Sequence, residues 1–199
     1  MVFIVIEGID GSGKTTQVKA LCRGLEGLGY KVTNEKEPTE GVIGRFIRQA
    51  LQDKVKIDLI SLQLLFVADR NEHIKAIHRE ISNGIVISDR YYYSTIAYGE
   101  ALGVKRDYLE TLNSIFPKPD KTFVLEIEPS EAFKRIDNGR SEKEIFERLE
   151  TLEKIKRSYD KFKGDEIERI NGDKDAEIVT AELLEKTLRL LKDKNIMPV

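Results

Sequence analysis

Residues 6–17 read IEGIDGSGKTTQ and directly follow the apolar run VFIV at residues 2–5. Gly8 to Thr15 match the pattern G-x-x-x-x-G-K-[ST], in which glycines let backbone N–H groups converge on phosphate oxygens. A β-branched apolar run precedes the match, and a helical period follows it. The stretch therefore predicts a strand, a phosphate-binding loop and a helix, which together form the first unit of an α/β fold.

The same alternation continues along the chain. The runs GIVISD (84–89) and KTFVLEIE (121–128) lack polar alternation, as expected of central parallel strands, whereas YKVTNEKE (30–37) and EIERIN (166–171) are weaker and should flank the sheet. Helical periods cover about 14–28, 41–53, 58–83, 92–103, 105–115, 129–138, 143–163 and 173–194. This order predicts an α/β domain over residues 1–199, with a doubly wound five-stranded parallel sheet and helices on both faces. Ligands of such a sheet bind beyond the carboxyl ends of its strands.

The glycine-rich loop predicts a nucleoside triphosphate ligand. The dipole of the following helix favours an anion, Lys14 adds a mobile charge, Thr15 should bind Mg²⁺ through its hydroxyl, and Thr16 can bond another phosphate oxygen. The predicted ATP-binding and phosphate-binding residues of the loop are Gly8, Ile9, Asp10, Gly11, Ser12, Gly13, Lys14, Thr15 and Thr16. A GTPase switch would carry the same loop, but it also needs an Asn-Lys-x-Asp motif. NGDKD at 171–175 has these letters in the wrong order, which disfavours that alternative.

Asp89 and Arg90 follow the run GIVISD, at the strand end where this kind of sheet binds ligands. Asp89 is therefore a candidate for binding Mg²⁺ or its waters, and Arg90 is a candidate for binding phosphate through its forked donors. A surface Asp–Arg pair is the alternative interpretation.

Phe66 and Arg70 are four residues apart in a helical period, so a ring and a guanidinium project from one side of the predicted helix. A ring that stacks on a base, with a fork that bonds its edge, suits nucleotide recognition. Phe66 as an ordinary core residue is the alternative. Arg48, in the helical period after EPTEG, is a further candidate cation for a phosphate.

With these motifs in order, the chain resembles thymidylate kinases. The resemblance runs from FIVIEGIDGSGKTTQ through EPT (37–39), LLFVADRNEHI (64–74), SDRYYYSTIAYG (88–99) and PDKTFVLEIEPSEAFKRI (119–136) to FERLETLEKIKRSY (146–159). It implies a P-loop NTP hydrolase-like nucleotide kinase fold. It also implies transfer of a phosphoryl group from ATP to dTMP with Mg²⁺, which makes dTDP for dTTP biosynthesis.

The resemblance also implies roles at the acceptor phosphate and sugar. Asp10 matches the acidic residue that contacts the sugar 3′-hydroxyl and helps align the acceptor phosphate, which Arg48 and Arg90 would bind. Tyr98 matches a tyrosine beneath the sugar that disfavours a 2′-hydroxyl.

At the base, Phe66 matches the ring that stacks on thymine. Arg70 matches the side chain that bonds the base at O4, and Thr95 matches a polar position near N3. The predicted dTMP-binding residues are thus Asp10, Arg48, Phe66, Arg70, Arg90, Thr95 and Tyr98.

Some members of this family carry an arginine at the position of Gly11, and others place the basic residue in a mobile lid. Gly11 puts this chain in the second group, with a lid predicted at about 135–146. Arg140 is predicted to close on the bridging phosphates and Arg135 to bind near the adenine or the phosphates, with a solvated charge as the alternative for each. The predicted catalytic residues are Lys14, Asp89, Arg90 and Arg140, and the predicted Mg²⁺ ligands are Thr15 and Asp89.

Two positions depart from the family pattern. Lys36 stands where arginine is usual, and Gly99 stands where glutamine often follows Ala-Tyr, which leaves a potential base or sugar contact unfilled. His73 and His78 are expected to be solvated helix residues without a catalytic part.

The charge balance constrains the partners. Lysine plus arginine (33) and aspartate plus glutamate (35) nearly cancel, so neither a nucleic acid nor a membrane is predicted as a partner. The partners that the resemblance implies are the small molecules ATP and dTMP. Cys22 is the only cysteine, which fits a reducing, cytoplasmic compartment and a small buried residue. Glu7 and Asp10 interrupt the first apolar run, so neither a signal peptide nor a membrane span is predicted.

Three functions stay open at this point. The first is ATP-dependent phosphorylation of dTMP, and the second is a kinase for another acceptor such as dUMP, a dTMP analogue or a deoxynucleoside. The third is a nucleotide-binding protein that has little turnover and whose closure signals to a partner.

The resemblance also implies a homodimer through the helix that carries LISLQLLFVA (59–68), a pattern that suits a buried core equally well.

Overall fold

The computed structural model describes residues 2–81, 84–139 and 148–198. Its strands are β1 (Val2–Glu7), β2 (Val32–Lys36), β3 (Ile85–Asp89), β4 (Lys121–Glu126) and β5 (Ile167–Asn171). Its helices are α1 (Lys14–Gly27), α2 (Val42–Leu51), α3 (Leu59–Ile81), α4 (Tyr92–Ala101), α5 (Arg106–Asn113), α6 (Pro129–Gly139), α7 (Leu149–Tyr159) and α8 (Ala176–Asp193). Each predicted strand is present, and each predicted helix has a counterpart. Residues 140–147, which include most of the predicted lid and Arg140, lie outside the described residues.

The five strands form one parallel sheet in the order β2-β3-β1-β4-β5. The central strand β1 pairs with both β3 and β4, with Val2 opposite Ile85 and Ile4 opposite Lys121. The two weaker runs are the edge strands β2 and β5, as the sequence predicts. The predicted α/β fold is thereby confirmed.

Side chains of β1 alternate between two hydrophobic cores. Val2, Ile4 and Ile6 pack with buried residues of α1 and α8 on one face of the sheet. Phe3 and Val5 belong to the core on the other face, which α2 to α7 complete. Every residue of β1 is buried, which explains why its sequence shows no polar alternation before Glu7.

The carboxyl ends of β1, β2 and β3 lie side by side and place three loops together. The N–H of Arg90, just after β3, donates to the carbonyl of Ile6 at 3.1 Å, and the N–H of Glu37, just after β2, donates to the carbonyl of Asp89 at 3.1 Å. The phosphate loop, the Glu-Pro segment and the Asp-Arg pair therefore meet at one edge of the sheet.

Cys22 is buried on α1 as predicted, and burial raises the pKa of its thiol to about 11. Within the described ranges, no helix combines the length and the apolar character that a membrane crossing requires.

Candidate active site

The phosphate loop ends where α1 begins at Lys14. The Lys14 side chain folds back over the loop, and its Nζ donates to the carbonyl of Ile9 at 2.7 Å. Burial and the nearby Arg90 guanidinium lower the pKa of Lys14 to about 8. A buried ammonium beside a second cation is stabilised by an anion, so this arrangement favours a phosphate over the loop.

Gly11 lies against the start of α6. Its φ is +79°, and a Cβ built there would lie 2.4 Å from the carbonyl oxygen of Ala132. Both the backbone conformation and this contact exclude an arginine side chain at position 11. A cation over the phosphates therefore cannot come from this position. The prediction that a lid supplies it falls mostly on residues 140–147, outside the described residues.

Thr15 and Asp89 form the candidate metal site. The Thr15 Oγ1 donates to the Asp89 Oδ2 at 2.5 Å, and the Lys36 Nζ lies 3.8 Å from the same oxygen. Mg²⁺ prefers oxygen ligands and is commonly held by one or two protein groups together with phosphates and water. A threonine hydroxyl beside a carboxylate fits that preference. The described part of the chain contains no cluster of three or more His, Cys, Asp or Glu side chains that could hold a metal alone.

Arg90, Asp10 and Tyr98 form a closed triangle of hydrogen bonds. Arg90 Nη2 donates to Asp10 Oδ1 and to Tyr98 Oη at 2.8 Å, and Tyr98 Oη donates to Asp10 Oδ2 at 2.9 Å. Burial raises the pKa of Asp10, but Arg90 and Lys14 outweigh it and hold that pKa below its ordinary value. Three residues predicted to bind the acceptor are therefore in mutual contact, with Asp10 as an ionised carboxylate.

Arg90 adopts a backbone φ of +75°, which is rare for a residue with a side chain. Its Nη1 donates to Ser94 Oγ at 2.8 Å and to the Gly8 carbonyl at 3.3 Å. The surrounding hydrogen bonds hold the strained residue in place, a condition that is typical of functional sites.

Glu7, which is not among the predicted site residues, lies beneath this triangle. Its Oε1 accepts from the N–H groups of Tyr91 and Ser94 at 2.8 and 3.1 Å, and its Oε2 accepts from Ser94 Oγ at 2.6 Å and Tyr159 Oη at 2.7 Å. Burial raises the pKa of Glu7, while Arg90 and the hydrogen bonds oppose the rise. A carboxylate in a strand covered on both faces needs such partners. The position of Glu7 within an apolar strand is therefore the sequence feature that could have indicated its buried hydrogen bonds.

Arg70 lies at the centre of a second buried cluster. Its Nε and Nη2 donate to Glu37 Oε2 at 2.9 and 2.5 Å, its Nη1 donates to Asn113 Oδ1 at 2.5 Å, and its Nη2 also donates to Thr95 Oγ1 at 3.0 Å. The structure thus brings together Arg70 and Thr95, the two residues predicted to meet the base edge. Phe66, one turn earlier on α3, is partly buried against the core.

The expectation that His73 is solvated is wrong. His73 is 6% exposed, and its ring lies between Glu35 and Glu37. The sequence pattern suggests an exposed helix face, but this part of α3 packs against the end of β2. His78, by contrast, is exposed, as expected.

Arg48 reaches from α2 to the loop after β2. Its guanidinium donates to the carbonyls of Pro38 and Thr39 at 2.6 and 2.7 Å and pairs with Glu40 at 2.6 Å. Asp69 accepts from the N–H and the hydroxyl of Thr39 at 2.7 and 2.6 Å. The position of Arg48 is therefore set by a loop that α3 holds in place.

Arg135 extends from α6 toward the end of β5. Its Nη1 donates to the carbonyl of Gly172 at 3.4 Å, and its side chain is 38% exposed.

Gly99 lies where α4 packs against α3 and α5, since a Cβ there would lie 2.8 Å from Leu109 and 3.0 Å from Gln63. Close packing thus accounts for glycine at position 99.

Comparison with known proteins identifies the family. The thymidylate kinase family model matches residues 6–183. A probable thymidylate kinase from Methanococcus maripaludis is 44% identical over 157 residues, which cover 79% of this chain and 75% of the relative. A second, from Thermococcus kodakarensis, is 38% identical over 194 residues, which cover 92% and 95% of the two chains.

A solved structure agrees with these sequence matches. The thymidylate kinase from Candida albicans superposes with a TM-score of 0.79 at 27% identity, covering 95% of this chain and 92% of that one. The resemblance inferred from the motifs is confirmed, and the chain belongs to the thymidylate kinase family, whose members phosphorylate dTMP.

Proposed function

We propose that this chain transfers the γ-phosphoryl group of ATP to dTMP, with Mg²⁺, and releases ADP and dTDP. The observation that carries the proposal is the Arg90–Asp10–Tyr98 triangle, which joins the phosphate loop to predicted acceptor residues. A loop that served ATP alone would not need these contacts. The triangle supports a site where two nucleotides meet.

On the donor side, the residues of the phosphate loop bind ATP and Lys14 contacts its phosphates. Thr15 and Asp89 are the proposed ligands of Mg²⁺, which would neutralise charge on the phosphates when bound. Phosphoryl transfer needs an in-line acceptor oxygen and stabilisation of developing negative charge, and no general base is required of the protein. The positive charges of Lys14 and Arg90 suit this task.

On the acceptor side, Arg48 and Arg90 bind the phosphate of dTMP. Asp10 accepts from the 3′-hydroxyl, and Tyr98 lies beneath the deoxyribose. Binding of dTMP replaces part of the Arg90–Asp10 contact, so the resting pair holds both side chains close to the positions that the substrate needs.

At the base, Phe66 stacks on thymine, and Arg70 and Thr95 face its edge. Donors of Arg70 match the O4 acceptor of thymine, whereas a cytosine base presents an amino group at that position. This difference supports selection of dTMP over dCMP.

Arg140 is proposed to complete the site by closing on the bridging phosphates, with Arg135 near the adenine or the phosphates. The exclusion of a side chain at Gly11 supports a cation from this segment. A cation that closes over the phosphates in this way would also help to keep water from the reacting phosphate.

We also propose a homodimer of this single-domain chain in the cytoplasm. The supporting observation for the dimer is a set of apolar side chains exposed on α2 and α3, namely Val42, Phe46, Leu59, Ile60 and Leu64. A single buried cysteine fits a reducing compartment.

The test of the proposed reaction is ADP release by the purified chain with ATP and Mg²⁺, measured with and without dTMP. We expect ADP formation that depends on dTMP and yields dTDP in equal amount. A nucleotide-binding protein with little turnover would bind ATP and release no additional ADP when dTMP is added.

A further inference from the structure

His73 occupies a position that requires a charged ring. Its Nδ1 lies 3.1 Å from Glu37 Oε1 and its Nε2 lies 3.0 Å from Glu35 Oε2. Carboxylates only accept hydrogen bonds, and a neutral imidazole has one N–H, so only the imidazolium donates to both partners. Burial lowers the pKa of His73, but hydrogen bonds to Glu35 and Glu37 outweigh it and raise the pKa to about 9.

Glu37 connects His73 to Arg70. One oxygen of Glu37 faces the imidazolium, and the other accepts from the Nε and Nη2 of Arg70 at 2.9 and 2.5 Å. Glu37 is 3% exposed and Arg70 is 1% exposed. A buried carboxylate with a cation on each oxygen has one orientation, because rotation would break both contacts.

The orientation of Arg70 follows from that of Glu37. Four of its five N–H groups donate to Glu37, Asn113 and Thr95 within the described residues, and in the proposed function the remaining N–H, on Nη1, is the one that meets the base. The direction of this N–H depends on how the guanidinium is held. If Glu37 rotates, the N–H no longer points to a fixed place.

We propose that His73 is a positioning residue that, by fixing Glu37 and through it Arg70, sets the discrimination between thymine and cytosine. The proposal rests on the proposed function, in which Arg70 faces the 4-position of the base. His73 touches neither nucleotide. Its effect is on recognition of the acceptor base, and it leaves binding of ATP unchanged.

A general loss of structure and a loss of positioning have different consequences. Loosening of the whole site weakens the binding of dTMP, dCMP and ATP together. It leaves the ratio of kcat/KM for dTMP to kcat/KM for dCMP unchanged. Misplacement of Arg70 removes a donor that only thymine can use. It therefore lowers kcat/KM for dTMP while that for dCMP stays the same or rises.

The experiment compares wild type with His73→Gln and with the control His78→Gln, a change of the same kind on an exposed part of α3. We expect the dTMP/dCMP ratio of kcat/KM to fall about tenfold in His73→Gln, with KM for ATP within about twofold of wild type. His78→Gln should keep the wild-type ratio. Glu35→Gln, which changes one partner of His73 at a side chain that is 25% exposed, should lower the ratio by about threefold.

The proposed function and the positioning role fail separately in this experiment. A wild-type chain that does not prefer dTMP over dCMP contradicts the proposed base recognition. A wild-type preference that His73→Gln retains in full overturns the role of His73 alone. Should His73→Gln fail to fold, an unchanged ratio in Glu35→Gln overturns it in the same way.

Discussion

Arg90 donates to the carboxylate of Asp10 across 80 positions of the chain, and this pair joins the phosphate loop to the segment that follows β3. The adjacency of β1 and β3 makes the contact possible, because their carboxyl ends release the two residues side by side. The pair lies where the ATP and acceptor halves of the proposed site meet. It is the contact on which the proposed function most depends.

Replacement of Arg90 by alanine should remove turnover while the fold persists. The variant loses a cation that is proposed to face the transferring phosphoryl group, and removal of one such donor costs about 100-fold or more in rate. A coupled assay of ADP release in the presence of dTMP measures the loss, and far-UV circular dichroism checks the fold. Activity equal to that of wild type is incompatible with the proposed role.

Arg48→Ala should raise KM for dTMP about tenfold, because it removes the proposed charge-assisted contact to the acceptor phosphate. KM for ATP should change little. Arg45→Ala is the matched control on the same helix, since Arg45 is exposed and donates to the Glu40 carbonyl at 2.6 Å. Equal effects of the two substitutions on dTMP would contradict a specific role for Arg48.

Glu7→Gln should lower the free energy of unfolding by about 1–3 kcal/mol, because an amide nitrogen replaces an oxygen that accepts hydrogen bonds in a buried site. Activity should fall as well, since Glu7 holds Ser94, which in turn accepts from Arg90. Tyr159→Phe removes one donor to Glu7 Oε2 and leaves Ser94 Oγ bound there, so its effect should be smaller. Urea unfolding at pH 7 measures the loss of stability in each variant. A larger loss in Tyr159→Phe than in Glu7→Gln would contradict the proposed role of Glu7.

The stability of the chain should depend on the protonation of His73. Glu35 and Glu37 face the ring from β2 and the following loop, and they raise its pKa from 6.5 to about 9. A raised pKa contributes stability that is fully present below pH 6.5 and is lost as pH rises through about 9. At 1.36 kcal/mol per pKa unit the contribution is on the order of 3 kcal/mol.

The measurement is urea unfolding at pH 6 and pH 10 for wild type and His73→Gln. The loss of stability between the two pH values should be larger in wild type, because titration of lysines and tyrosines is common to both chains and cancels. Equal losses would show that His73 does not carry this charge in the folded state.

The fold could be predicted largely from local patterns. Apolar runs without alternation identify β1, β3 and β4, because strands covered on both faces admit few polar side chains. The weaker runs belong to β2 and β5, where one side of the strand lacks a neighbour. Helix ends were less predictable: α2 ends at Leu51, and Asp53 adopts a φ of +60° just beyond it, a conformation that the sequence pattern does not indicate.

The site could be predicted where chemistry constrains residues at fixed spacing, as in Gly8 to Lys14. The buried partners Glu7, Glu37 and His73 escaped prediction because their roles depend on pairs that are distant in sequence. His73 lies 36 positions from Glu37, and nothing in the local helix pattern reveals that a carboxylate from the loop after β2 packs against it. Such pairs follow from the strand order, which a single sequence does not display.

A panel of acceptors tests directly whether the chain is a kinase for dTMP. The purified chain, with ATP and Mg²⁺, is assayed for kcat/KM with dTMP, dUMP, dCMP and thymidine. We expect that dTMP ranks first, that dCMP is rejected at the 4-position, and that thymidine, which lacks the phosphate that Arg48 and Arg90 are proposed to bind, is the poorest acceptor. A panel in which another acceptor ranks above dTMP would contradict the proposed function.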